Sequence, residues 1–187
     1  MPVWGWILIA AAAVIVIVVI YIISKRNKFV SLEENIDNSY AQIDVQLKRR
    51  YDLIPNLVET VKGYAAHESD TLGRVIELRS AAESAKNINE EMKINAEINQ
   101  ALSRLMALAE AYPNLKADTS FLRLQDALHD TEGKIAIARQ VYNDCVTKFN
   151  KSIKMFPGNI IAGVFGFDDK QYLETAESER ENVRVQF

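Results

Sequence analysis

The sequence predicts an all-α membrane protein, with one N-terminal transmembrane helix followed by an elongated antiparallel bundle of about four helices, two of them long. Three observations predict it. An uncharged apolar run opens the chain from Val3 to Ile23, and two later stretches repeat apolar side chains at spacings that alternate four and three. Nothing alternates as a half-buried strand would, and only 7 glycines and 4 prolines punctuate 187 residues.

The opening run is dominated by Ile, Val, Leu and Ala and, at the rise of an α-helix, covers about 30 Å of hydrocarbon, one bilayer crossing. A cleaved signal peptide would carry basic residues before a shorter apolar run and small residues after it. Here the order is reversed: Met1–Gly5 has no charged side chain, and Lys25, Arg26 and Lys28 follow the run. Trp4 and Trp6 at one end and Tyr21 at the other suit the two interfacial belts, with lipid as the partner. A buried core helix is rarely so uniformly apolar. The expected organisation is an anchor over 1–24, a helical bundle over 25–167 and a charged C-terminal tail over 168–187.

Basic residues beside a membrane end stay on the cytoplasmic side. Lys25, Arg26 and Lys28 therefore predict a single-pass protein of the cell (inner) membrane, N-terminus out, with the bundle in the cytoplasm; a Gram-negative periplasmic domain would present the same pattern. Cys145 is the lone cysteine, which excludes an intramolecular disulfide and is compatible with a reducing compartment. The chain carries a formal charge of −3 although its first thirty residues are purely basic, so the water-facing part is acidic. Nucleic-acid binders show a basic footprint, and only Lys48-Arg49-Arg50 resembles one.

After the anchor, Ile36, Tyr40, Ile43, Leu47, Arg50, Ile54, Leu57, Val61 and Tyr64 form a heptad seam. It predicts a helix from about Lys28 to Ala66, about 60 Å long if straight. Neither Gly nor Pro interrupts Ile7 to Ile54, so this helix is expected to run directly out of the membrane span. Pro55 cannot donate a backbone hydrogen bond and crowds the Tyr51 carbonyl, which predicts a bend around Tyr51-Asp52-Leu53-Ile54-Pro55-Asn56-Leu57. Arg50 sits on the seam, where a charge is costly unless paired. Either it makes a specific ion pair that fixes register or an oligomer contact, or it lies at the seam's edge and reaches water.

A second helix is predicted between about His67 and Lys86 on Leu72, Val75, Ile76, Leu78 and Ala82. Asn87-Ile88-Asn89 reads as a break. A third runs from Glu90 to Tyr112 on Ile94, Ile98, Ala101, Leu102, Leu105 and Leu108, and Pro113-Asn114 closes it. Asp118, Thr119 and Ser120 supply cap chemistry for the last long helix. Its seam is Leu124, Leu128, Thr131, Ile135, Ala138, Tyr142, Cys145, Phe149, Ser152 and Phe156, which makes Cys145 a small buried hydrophobe.

Chemistry-bearing motifs are missing. His67 and His129 have no partners at metal-ligand spacing, and no phosphate loop, nucleophile elbow or dinucleotide fingerprint occurs. No catalytic, cofactor or metal residue is assigned, and the protein is expected not to be an enzyme. The uncharged segment Phe156-Pro157-Gly158-Asn159-Ile160-Ile161-Ala162-Gly163-Val164-Phe165-Gly166-Phe167 must be buried against the bundle, the membrane interface or another subunit. Beyond it, a partly helical stretch from Gln171 to Asn182 is expected.

Asn35, Ser39, Ala41 and Ile43, then Arg50 through Val58, then Val61, Lys62, Tyr64 and His67-Glu68, resemble the LemA family of bacteria. Glu110-Ala111-Tyr112-Pro113-Asn114-Leu115, Asn143, Phe149-Asn150, Phe156-Pro157 and Phe165-Gly166-Phe167 are similar to it too. The resemblance spans Asn27 to Phe167 and leaves out the tail. It implies a single-pass bacterial membrane protein with a long helical bundle, and no defined reaction.

Two functions from different classes fit. One is a non-enzymatic scaffold that self-associates and organises or shapes the membrane. The other is a monomeric adaptor or sensor whose bundle binds another membrane protein, such as a protease or signalling kinase. The interaction candidates are Arg50, Tyr51, Asp52, Pro55 and Asn56 on the first helix, and Phe156, Pro157, Phe165 and Phe167 in the uncharged segment.

Overall fold

The computed structural model describes residues 3–65 and 67–173. Among these residues six helices follow one another: α1 (Val3–Lys62), α2 (Ser69–Glu83), α3 (Ile88–Ala109), α4 (Pro113–Lys116), α5 (Thr119–Lys154) and α6 (Gly158–Phe165). No strand occurs among the described residues, and the protein is an all-α antiparallel bundle behind an N-terminal apolar helix. As the unbroken apolar pattern predicts, the membrane run and the first water-facing helix are one element, α1, which continues through Pro55.

The helix boundaries follow from local chemistry. The Asn87 side chain accepts the Glu90 backbone N–H at 2.9 Å, and the Glu90 carboxylate accepts the Lys86 N–H at 3.0 Å, a reciprocal cap that starts α3. Pro113 opens α4 from the first turn, where its missing N–H costs nothing. Asp118 accepts the backbone N–H groups of Ser120 and Phe121 at 2.8 and 2.9 Å and so caps α5. These bonds, with one from the Tyr64 hydroxyl, hold its carboxyl below the usual carboxylate range.

The described residues divide into two compact units: 3–40 with Val141–Tyr172, and Ala41–Gln140 with Leu173. In the second, α1 and α5 run antiparallel, because Arg50 meets Glu132 while Tyr64, just past the end of α1, meets Asp118, just before the start of α5. Its apolar core draws Ile43, Leu47, Ile54, Leu57 and Val61 from α1, Val75 from α2, Ile98 and Leu105 from α3, Leu115 from α4, and Phe121, Leu128 and Ile135 from α5. The heptad positions predicted on α1 and the first half of α5 thus fill this core. Tyr40 and Tyr64 depart from the seam and are part-exposed, as is Ile76 on α2.

In the first unit the seam on α5 shifts by one residue. Val146, Phe149 and Ile153 are buried, whereas Cys145 and Ser152 are intermediate and Phe156 is 79 % exposed. A straight helix drifts by about 20° per heptad against a strict 3.5-residue repeat, so after four heptads the buried face has moved to the next column. Cys145 is therefore not the fully buried hydrophobe that its seam position predicts.

The expected helix from Gln171 does not begin there: residues 171–173 are not helical, and the rest of that prediction lies outside the described residues. Side chains from α5 hold the backbone instead. The Asn150 carboxamide donates to the Lys170 carbonyl and accepts the Lys170 N–H, both at 2.9 Å, and the Tyr142 hydroxyl donates to the Gln171 carbonyl at 3.3 Å. A backbone fixed in this way from outside has its donors and acceptors already committed.

Candidate functional site

Two places in the molecule break the pattern of apolar inside and polar outside. The first surrounds Arg50, which the α1 seam carries into the interior at 3 % exposure. Its Nη1 donates to the Asn95 carboxamide oxygen at 3.0 Å and to the Glu132 carboxylate, and its Nη2 donates to the Asn99 carboxamide oxygen. Asn99 closes the ring by donating from Nδ2 to the other Glu132 oxygen at 2.9 Å. Helices α1, α3 and α5 are thereby tied at one level. Burial pulls the Arg50 guanidinium down from its usual value, and Glu132 opposes this.

Of the two readings of Arg50, the specific interhelical ion pair is the one found. Asn95 and Asn99, one helical turn apart on α3, were not singled out by sequence. The available signal was Asn95 itself, a buried polar residue in step with Ile98, Ala101 and Leu102 on the apolar stripe. Beside the cluster a cleft of about 650 Å³ opens to solvent between α3 and α5, lined by Arg50, Asn99, Ser103, Gln125, His129 and Glu132 among others.

The next residue on α1, Tyr51, is buried, and its hydroxyl donates to Glu91 at 3.3 Å. Burial and the Glu91 charge push the phenol well above its usual range. The Tyr51 carbonyl is the one that Pro55 cannot serve, being four residues ahead of it. Arg79 on α2 replaces the missing donor: its Nε lies 3.0 Å from that oxygen while its Nη2 pairs with Glu83 at 2.8 Å. Asp52, Pro55 and Asn56 face outward. The first group of candidates therefore splits, with Arg50 and Tyr51 inside and the other three on the surface.

The second place is the segment after α5. Gly158 starts α6 so close to α5 that a Cβ there would sit 2.5 Å from the Ser152 carbonyl oxygen and 3.3 Å from the Phe29 ring. Gly166, at φ +71°, ends α6 in the left-handed conformation that glycine adopts without cost. The chain then reverses and sets Phe167 edge-on against Phe29 and Phe149, with ring centroids 5.4 and 6.4 Å apart.

Ile161 and Ala162 are buried, but Ile160, Val164 and Phe165 are 58 %, 74 % and 44 % exposed, and Met155 and Phe156 are exposed beside them. Of the three ways to bury this segment, packing against the bundle accounts for one face. Pro157 and Phe167 are part-buried, Phe156 and Phe165 exposed. The Arg26 guanidinium lies 5.7 Å from the centre of the Phe165 ring, and the Lys25 ammonium 5.6 Å from that of Tyr21.

Trp4, Trp6 and the apolar run after them expose their side chains all round α1. Among the described residues this is the one stretch long and apolar enough to cross a membrane, with none of its window buried. Lys25 is part-buried, while Arg26 and Lys28 are exposed where the run ends.

Comparison with known proteins completes the picture. The LemA family pattern matches residues 39–187. Magnetosome protein MamQ 2 of Paramagnetospirillum magneticum is 24 % identical over 179 residues, covering 82 % of this chain and 66 % of that protein. Magnetosome protein MamQ of Magnetospirillum gryphiswaldense is also 24 % identical, over 81 % of this chain and 65 % of its own. Protein LemA of Metamycoplasma hominis is 24 % identical over 86 % of this chain and 74 % of its own. The chain spans just under two thirds of the length of the magnetosome relatives. The family match starts later than the motif resemblance, at Ser39, and runs past Phe167 to residue 187, so the tail belongs to the family pattern. This chain belongs to the LemA family and is a membrane protein with one N-terminal apolar helix.

Proposed function

We propose that this LemA-family protein is a non-enzymatic scaffold, anchored once in the cell membrane with its N-terminus outside, whose cytoplasmic bundle associates with copies of itself. Gathering many anchors into one patch organises or shapes the membrane there. The observation that carries the reading is the absence of any break between anchor and folded unit: α1 leaves the apolar run and is packed by Phe29 against Gly158 of α6 and Phe167 within two turns. A hinged anchor would only tether, whereas a helix fixed in this way hands the orientation of the folded unit on to the span. Exposed apolar side chains on helix faces, Val45 at 60 % and Ile137 at 64 %, supply surface for association. The name of the MamQ relatives, magnetosome proteins, fits a role at a specialised membrane.

Sedimentation of the full-length chain extracted in mild detergent tests this. The scaffold reading expects a multimer, and a clean monomer at micromolar concentration overturns it. The second reading is the monomeric adaptor, favoured by the exposed Asp52, Pro55 and Asn56 surface and by the open cleft beside Arg50. Crosslinking from Asn56 in cells separates the two. Self-crosslinks favour the scaffold, and one heterologous membrane-protein product favours the adaptor.

A further inference from the structure

We propose that the outer face of α6 is a second membrane contact, an interfacial element that seats on anionic phospholipid, with a lysine-lined groove beside it that takes the headgroup phosphate. Depth is the first argument. The apolar run of α1 ends at Ile23, and α6 meets α1 at Phe29 through Gly158 and at Arg26 through Phe165. All of α6 therefore lies beside the turn of α1 that follows the span, which is the headgroup level if the span fills the hydrocarbon.

Chemistry is the second argument. Ile160 and Val164, four residues apart on α6, are 58 % and 74 % exposed, and Phe156 just before the helix is 79 % exposed, apolar surface that water would not favour. Immediately beside it a groove of about 480 Å³ is lined by Lys25 and Lys28 of α1, Lys148 and Lys151 of α5, and Met155 and Phe156. Among the described residues no carboxylate lines it. Four ammonium groups next to exposed aromatic and thioether side chains match a lipid with a charged head and an apolar tail, and suit neither water nor an apolar partner surface. The occupant is thus the membrane that α1 already enters, so the contact orders itself at no cost in translational freedom. It does not depend on self-association.

A nitroxide on the full-length chain tests the proposal, placed by Val164→Cys in a Cys145→Ser background and reconstituted into phosphatidylcholine vesicles with and without phosphatidylglycerol. With phosphatidylglycerol present, the label is expected to be open to oxygen and several-fold shielded from a water-soluble nickel chelate, relative to a label at the exposed Glu34→Cys. Adding Lys148→Glu and Lys151→Glu, both at solvent-exposed positions, should return the label towards water. Nickel access equal to that at Glu34→Cys overturns the contact, and equal shielding in both lipids overturns the anionic headgroup. Spin–spin broadening that disappears on dilution with unlabelled protein identifies a second copy as the cover. That result overturns the lipid assignment while leaving the scaffold reading intact.

Discussion

Around Arg50, three helices are joined by hydrogen bonds between a guanidinium, two carboxamides and a carboxylate, whereas around Phe149 a loop and two helices close over ring edges. The polar cluster is directional: the Arg50 guanidinium meets its acceptors at one height, so a slip of α5 by a turn would take Glu132 from a buried charge and a slip of α3 would take away its two carboxamide acceptors. The aromatic cluster gains from area removed from water and tolerates small shifts, and its precision comes from two glycines that set the path of the backbone. One unit is specified by partners and the other by fit. The unit around Phe149 leaves Ile160 and Val164 of α6 uncovered, and the unit around Arg50 leaves Val45 and Ile137 so.

Substitutions can break this contrast. Arg50→Ala leaves Glu132 and two amides without their donor and should cost about 3–5 kcal/mol, read as a lower midpoint in denaturant. Arg50→Met with Asn95→Leu and Glu132→Leu should recover most of that loss, because a well-packed apolar replacement avoids the desolvation of a buried pair. If the single change costs less than about 1 kcal/mol, the cluster does not hold the unit. Phe149→Ala should also cost about 3–5 kcal/mol, with no partner changes able to rescue it except those that refill the volume.

Smaller effects sharpen it. Gly158→Ala drives a methyl group into the Ser152 carbonyl and should cost about 1–3 kcal/mol while loosening α6 alone, seen as faster amide exchange there. Arg79→Ala should cost about 1–3 kcal/mol by orphaning the Tyr51 carbonyl, and less in a Pro55→Ala background, where the helix supplies its own donor. A double-mutant cycle that finds no coupling would remove Arg79 from this role. The smallest effect concerns Glu91, whose carboxyl is held above its usual value by burial and by Asp44, with the Tyr51 hydroxyl opposing. A carboxyl raised by folding takes up a proton as the chain folds, so its charged form weighs against the fold above the folded-state pKa and the penalty fades as pH drops through it. Glu91→Gln should therefore raise the stability slightly at neutral pH, by less than about 1 kcal/mol and read as a higher melting temperature, with the gain vanishing in acid.

What the sequence disclosed and what it hid have one physical origin. Ile43, Leu47, Ile54, Leu57, Val61, Leu128, Ile135 and Tyr142 were legible because burial on a helix is periodic. Cys145 and Phe156 were misplaced because the assumed repeat is slightly shorter than the helix's own. Arg50 announced itself as a charge on an apolar seam, but its partners did not, since Glu132 and Asn99 are ordinary residues for a helix surface. Arg79 was invisible for the same reason, although Pro55 marks in advance the carbonyl that needs it. Gly158 and Gly166 look alike in sequence to Gly163, which meets open space. Only the path of the backbone tells them apart.

The central claim is that the anchored bundles assemble in the membrane. Counting photobleaching steps of singly labelled full-length chains, diluted in a lipid bilayer, tests it most directly. The account predicts several steps per spot even at low surface density, and single steps at every density would contradict it.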